Sequence, residues 1–395
     1  MYRRCTALSV TSYKSNIRNE LIIDYTTKTT IFELFEVINS SEVRKIFKKH
    51  KCNRYAKKLK AHQLIVLLIL AQQNQCTGTR TVQTSFEFNR KLRRYLKLDS
   101  ISHTQVFRRL QSFPIAAIEE VFNVVVKRLG SKYHQKISKS LHGLNLIDAS
   151  TITKSLKGME WAKFRKSKAG IKLHLSLMYH DEIAYPNNVF VSKAKEHDVA
   201  YLKDLVVVSK NTINVFDRGY VDYQAFDQFS DVGVLFVTRL RENAATWVIK
   251  RYEVNEKSKV VYHDLVTVGC GSKKTKNAFR YIQLLDDDGN QVHFITNVMD
   301  KTPEEIGDIY KLRWQIELFF KWIKQNLKIK HFYATSEQAV TVQIFIALIA
   351  YCLFRLISAK VDPRVSLRKI KSAAMSALFD PFRDVVEQMM RISPH

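Results

Sequence analysis

The spacing of apolar residues in this chain changes near residue 142, and no fold built from one kind of element accommodates both halves of that change. Before it, IFELFEVI (31–38), QLIVLLILAQ (63–72) and AAIEEVFNVVVKRL (116–129) are apolar at helical spacing. SISHTQVFRRLQSF (100–113) joins a polar entry to a basic, amphipathic body suited to a recognition helix. After it, LNLID (144–148) is a short apolar run ending in an acid. IKLHLSLMY (171–179) then sets Ile171, Leu173, Leu175 and Leu177 against Lys172, His174, Ser176 and Met178, the period of a strand. Strands are expected at VFVS (189–192), TINVFD (212–217) and VGVLFVTRL (232–240), with helices from Asp198 and over DYQAFDQF between them. From about Glu242 to Met299 the chain is strand-rich, with a turn at Asp288-Gly289. Helices resume at TPEEIGDIYKLRWQIELFFKWIKQNL, where Thr302 is an N-cap and Pro303 the first helical residue. A buried helix from about Ser336 to Ser358 and a helical region around Ala373 to Met390 complete the pattern.

Charge selects the partner. Sixty-four Lys and Arg against 37 Asp and Glu give a formal charge of +27, which points to phosphate backbones. The segment Arg44 to Lys60 holds nine Lys or Arg and no acid, with Phe47 and Tyr55 interleaved, and is expected to contact phosphate. Cys5, Cys52, Cys76, Cys270 and Cys352 form no CxxC pair and have no His at zinc-finger spacing, so reduced thiols are expected. The N-terminus MYRRCTALSV lacks a signal-peptide core, and the longest apolar runs, Leu64 to Ala71 and Ile344 to Leu353, are shorter than a membrane span. A cytoplasmic protein with no membrane partner is the expectation.

Within YKLRWQIELFFKWIK, Tyr310, Arg313, Glu317 and Lys324 stand at offsets of three, seven and fourteen. At about 100° per residue all four fall within about 60° of one helical face. The other faces carry Ile316, Phe319, Phe320, Ile323 and Leu327 as anchors. Asp148 and Asp217 each end an apolar run and precede turn-prone residues, AST and RGY, which puts both carboxylates at strand tips, where open α/β sheets build sites. Convergence of Asp148, Asp217 and Glu317 would repel itself without a divalent cation, and oxygen-only ligands suit Mg²⁺ or Mn²⁺. Two such ions about 3.5–4 Å apart would activate a water or 3′ hydroxyl for in-line phosphoryl displacement. For each Asp alone, a cap or turn role is an equal alternative.

LIDAST, VFDRGY and the YxxRxxxExxxxxxK signature together resemble a bacterial insertion-sequence transposase of the DDE type, in the fourth insertion-sequence family. The likeness runs from about residue 142 to 358, and the helical N-terminal region is similar as well. It implies an α/β, ribonuclease H-like mixed sheet flanked by helices, with a β-rich insertion before the glutamate-bearing helix. The parts would be a basic, helical DNA-binding domain (1–135), the first part of the core (136–241), the insertion (242–300), the second part of the core (301–358) and a C-terminal helical region (359–395). Asp148, Asp217 and Glu317 would be the catalytic metal ligands, and Tyr310, Arg313 and Lys324 would bind DNA phosphates beside the scissile bond. Trp314 would stack on a displaced base or pack in the core. Lys172, His174 and Arg218 are further DNA-contact candidates, with a solvated or core-satisfied role an equal alternative for Lys172 and His174, and the basic loop between Lys154 and Lys172 is another. His197 and Asp198 precede a helix within reach of the metal site, and Asp198 is read chiefly as an N-cap. The implied activity is metal-dependent cut-and-paste transposition, acting on the element's terminal repeats and target DNA as a homodimer. A nuclease or resolvase without strand transfer, and a domesticated DNA-binding regulator, are the alternatives.

Overall fold

The computed structural model describes residues 28–134, 143–180, 183–255, 257–326, 332–362 and 365–391. Cys5 and Leu327 lie outside them. Seven helices come first: α1 (Thr30–Leu34), α2 (Ser41–Lys49), α3 (Ala61–Gln73), α4 (Thr79–Glu87), α5 (Arg90–Leu96), α6 (His103–Gln111) and α7 (Ile115–His134). Then follow β1 (Gly143–Ser155), β2 (Lys163–Arg165), β3 (Lys168–His180), β4 (Ile183–Lys193), α8 (Leu202–Leu205), β5 (Thr212–Phe216), α9 (Tyr223–Asp231) and β6 (Leu235–Arg239). After these come β7 (Thr246–Arg251), β8 (Val260–Val268), β9 (Phe279–Leu285) and β10 (Gln291–Thr296). Five helices close the chain: α10 (Pro303–Lys311), α11 (Trp314–Asn326), α12 (Glu337–Lys360), α13 (Leu367–Ser376) and α14 (Phe382–Arg391).

All ten strands belong to one sheet in the order β2-β3-β1-β5-β6-β10-β9-β8-β7, with β4 also on β3. β1, β5 and β6 run parallel; β3 and β4 are antiparallel neighbours on one side, and β10 opens an antiparallel series on the other. A mixed α/β sheet flanked by helices is compatible with the ribonuclease H-like architecture expected. The strand-rich segment after β6 is not a separate layer. Its last strand, β10, pairs directly with β6 through Phe294 and Arg239, so β7–β10 lengthen the core sheet.

Helix α12 explains how the layers stay together. Its residues are apolar all round, so the helix has no solvent face to offer and must be enclosed. Nearly every side chain from Ala339 to Ser358 is buried. By length and composition this 24-residue helix could cross a membrane, longer than the apolar runs suggested, but it lies inside the fold. It packs on α1, α3, α6 and α7 on one side and on β4 and α11 on the other. One core therefore runs from the N-terminal helices through α12 to Leu146, Leu173 and Leu175 on one face of the sheet. The opposite face has its own core of Phe216, Phe226 and Phe236 under α8 and α9, with Phe226 and Phe236 stacked at 4.6 Å. The N-terminal helices share their core with the rest of the chain, and the C-terminal region binds back onto them. Thr30 and Ile31 donate backbone hydrogen bonds to Asp380 and Leu378.

The basic segment is exposed at all nine Lys and Arg from Arg44 to Lys60, and Tyr55 is 86% exposed. Phe47 departs from the expectation: it is buried against Phe113, so only Tyr55 is an aromatic available to a ligand. On α6, Arg109 is spent internally, its guanidinium donating to the carbonyls of Leu59 and Cys52. Cys52, Cys76, Cys270 and Cys352 are free thiols.

Candidate active site

Register decides which side chains meet at the middle of the sheet. β1 does not stop at Asp148: pairing with β3 carries it to Ser155, while its parallel neighbour β5 ends at Phe216, opposite Ile147. Asp148 is thus mid-strand on β1 and also lies just past the end of β5, where Asp217 emerges in extended conformation. Residues directly opposite in an antiparallel ladder share a face. Asp148 and Ser150 lie on the face with Leu175 and Leu173, under α11. Lys172 and His174, opposite Thr151 and Ala149, lie on the other face. β3 flanks Asp148 as expected, and Lys172 and His174 share one face of it, the face opposite to the Asp148 side chain.

The Tyr-Arg-Glu-Lys stripe is carried by two helices rather than one. α10 is started by a capping box, with Thr302 Oγ1 accepting from Glu305 N at 3.2 Å and Glu305 accepting from Thr302 N at 2.7 Å. Removing that cap by Thr302→Ala is expected to cost about 1 kcal/mol in urea denaturation. The helix tightens after Tyr310. Arg313 N bonds to Tyr310 O, Gln315 N to Leu312 O and Ile316 N to Arg313 O, all i to i+3 spacings, across the junction with the first residues of α11. Gly307 permits the approach of α10 to β9, since a Cβ there would stand 2.6 Å from Leu284 Cδ1. Ile316, Phe319, Phe320 and Ile323 anchor α11 in the core as expected.

Arg313 organises the acids. Its Nη1 donates to Asp148 Oδ2 at 3.1 Å and its Nη2 to Glu317 Oε1 at 2.5 Å, so the guanidinium stands between the two carboxylates. Its Nε is buried with no acceptor. Burial works against the Arg313 charge, but Tyr310, Glu317 and Asp148 outweigh it and hold the proton more firmly than usual. Burial pushes the Asp148 carboxyl up to about 6, with Asp217 and Glu317 adding to the rise while the Ala149 N–H and Arg313 oppose it. Asp217 accepts from Gly219 N in the turn that follows it. Lys324 Nζ reaches across to Ser150 Oγ at 2.6 Å. Burial raises the Tyr310 hydroxyl, whose ring lies edge-on to Phe294 at 5.2 Å.

Beside Arg313 opens a cleft of about 300 Å³ lined by Arg239, Leu284, Phe294, Tyr310 and Trp314. Trp314 is 57% exposed, which removes the core-packing alternative. Arg218 is exposed next to Asp217. The expected basic loop between Lys154 and Lys172 is a β arm, with Lys157, Lys163, Arg165, Lys166 and Lys168 all exposed. Two further residues belong to the site. Ser150 stands two positions after Asp148 on a strand and so on the same face, a signal readable from spacing alone. Arg239 ends β6, the third parallel strand, as Asp217 follows the second.

The oxygen-only donor set suits a hard divalent cation, and a buried carboxyl raised by two acidic neighbours is one that gains from a cation. Among the described residues no three acids stand close enough to hold an ion, and two of the three, Asp148 and Glu317, are paired with Arg313.

Residues 139–353, more than half of the chain, match the family model described as the transposase DDE domain. A probable transposase for insertion sequence element IS5377 from Geobacillus stearothermophilus is 28% identical over 264 residues, 65% of this chain and 68% of that protein. A putative transposase from Sinorhizobium fredii is 28% identical over 288 residues, 71% of this chain and 79% of its own. A putative transposase for element IS4SA from Synechocystis is 27% identical over 180 residues, 44% of this chain and 49% of that protein. A DDE domain implies dependence on divalent metal in general and action on DNA. The acids assembled around Arg313 lie within the matched residues, and the chain belongs to the DDE transposases, a DNA-cleaving family.

Proposed function

We propose that this transposase, of the fourth insertion-sequence family, cuts the ends of its element and joins them to target DNA at the site built by Asp148, Asp217 and Glu317. The observation that supports this reading best is the placement of Arg313 between Asp148 and Glu317, with an unused buried Nε. Asp148, Asp217 and Glu317 would hold two Mg²⁺ ions, for which Mn²⁺ can substitute. Bound there, the metal supplies Lewis-acid stabilisation and an activated water or 3′ hydroxyl. Arg313 turns its guanidinium to a phosphate as its carboxylate partners are taken up, because phosphate oxygens match its forked donors. Lys324 exchanges the neutral Ser150 hydroxyl for a second phosphate oxygen, and Tyr310 donates from the cleft wall. Trp314, exposed at the cleft mouth, offers a face for an unstacked base. Arg218 and the β arm extend the phosphate track. Lys172 is instead tied inward and is dropped from it. A homodimer holding both terminal repeats completes this reading.

Linear DNA carrying the gene with several hundred flanking base pairs, incubated with the protein and Mg²⁺, tests it. Two discrete flanking breaks, lost in Asp217→Asn, are expected. Scattered or structure-dependent breaks would mean a nuclease or resolvase, and binding without breaks a regulator. Binding to the duplex should weaken steeply with salt, by about 0.9 in log K per phosphate neutralised. Replacing Lys57 and Lys58 with Gln should lower that slope by up to about 1.8. A slope unchanged in anisotropy titrations would remove the exposed segment from the DNA surface.

A further inference from the structure

The face of the sheet behind Asp148 carries a partly buried polar cluster, centred on the fully buried His174, that the proposed chemistry does not use. Lys172 Nζ stands 3.0 Å from Asp198 Oδ1 and donates to Glu196 O at 2.8 Å. His174, with no exposed surface, places Nδ1 at 3.4 Å from the same Asp198 oxygen and pairs Nε2 with Ser192 Oγ at 2.8 Å. Its ring lies flat on Tyr201 at 3.9 Å, and Tyr201 donates to Glu196 at 2.5 Å. Such a cluster gathers an acid, a base and an imidazole where apolar residues would be at least as stable, so fold stability alone is a weak reason for it.

Its location supplies a better one. Asp198 opens the 3₁₀ turn Asp198–Tyr201, and that turn packs against a second 3₁₀ turn, Arg218–Tyr220, which begins directly after Asp217. Tyr220, the last residue of the second turn, is buried, its hydroxyl without an acceptor. Burial raises that hydroxyl, and the charges of Asp148, Asp198 and Asp217 add to the rise. The cluster is thus anchored to β3, the strand bonded to Asp148 along its length, at one end and to the Asp217 turn at the other.

We propose that Asp198, held by Lys172 and backed by His174, is a positioning residue that sets the direction in which Asp217 leaves β5 and hence its alignment with Asp148. The inference rests on the reading of Asp148 and Asp217 as metal ligands. An N-cap role does not account for Asp198, because the N-cap of this turn is His197, Asp198 is its first residue, and the Asp198 carboxylate is turned to Lys172.

The full-length protein separates alignment from stability. Lys172→Met combined with Asp198→Leu removes both charges together, so the fold is expected to melt at or above the parent temperature. Mn²⁺ binding, followed by the loss of the free-ion EPR signal without DNA, is expected to weaken about 10–100-fold, with single-turnover cleavage slowed alongside and DNA affinity kept. Lys172→Arg alone, which keeps a cation beside Asp198, should bind Mn²⁺ and cleave like the parent. Parent-like Mn²⁺ binding and cleavage in the doubly apolar protein would overturn the proposal and leave the cluster a packing feature. If that protein does not fold, Asp198→Asn, of equal size, carries the same comparison. Asp217→Asn run in parallel keeps the two readings apart: if it too leaves Mn²⁺ binding intact, the metal assignment itself has failed.

Discussion

Glu317→Gln is expected to bind DNA at least as tightly as the parent while cutting it roughly 10²–10⁴-fold more slowly. The loss follows from the several kcal/mol of charge stabilisation a bound metal contributes at the reacting phosphate, each 1.36 kcal/mol being tenfold in rate. The unimpaired binding follows from Arg313. Gln keeps the size of Glu317 but not its charge, so the Nη2 pairing loses strength and the guanidinium becomes freer to meet a phosphate. Single-turnover cleavage and gel-shift titration on one preparation check both halves. Equal losses of binding and cutting would make Glu317 a structural residue and sink the assignment.

Asp148→Asn is expected to stabilise the metal-free protein at neutral pH while abolishing cleavage. The folded protein holds the Asp148 proton up to about pH 6, above the ordinary 3.8, so it binds that proton more tightly than the unfolded chain does. For a carboxyl raised in this way the contribution to stability is greatest below about pH 4 and declines as pH rises to about 6. Above that range the ionised, largely buried group costs up to about 3 kcal/mol, from a rise of about two units at 1.36 kcal/mol each. Asparagine removes the cost. The difference in urea midpoint between variant and parent should therefore be near zero at about pH 4 and largest above about pH 7. Mn²⁺ should narrow the gap by stabilising the parent alone. A difference that does not change with pH would mean that Asp148 carries no such penalty.

Local periodicity was enough to find most elements, since burial of one face is a property each helix or strand carries by itself. The acids were legible for the same reason: Asp217 ends an apolar run, and Glu317 sits at a fixed spacing from Arg313. What depends on neighbours was not. The extension of β1 past Asp148 comes from β3, where Ala149 to Ser155 pair with His174 to Lys168, which continues to offer a ladder after β5 has ended. The inward turn of Lys172 and His174 is set by the same register. The break between α10 and α11 is a matter of three backbone hydrogen bonds that no side-chain pattern encodes. Arg313 as a counter-ion within the site, rather than a free phosphate ligand, becomes visible only when Asp148 is brought to it from 165 positions away.

The meeting of Thr30 with Asp380 has a consequence for how the molecule comes into being. These residues are 350 positions apart in sequence, and the partner that encloses the first helices, α12, is made almost as late. On the ribosome the N-terminal helices emerge with their apolar faces uncovered and stay so until nearly the whole chain has been synthesised. Closure of so long a loop comes late and slowly. A truncated product would display the exposed basic segment without the core that supports it, so that surface takes its folded form only together with the completed sheet.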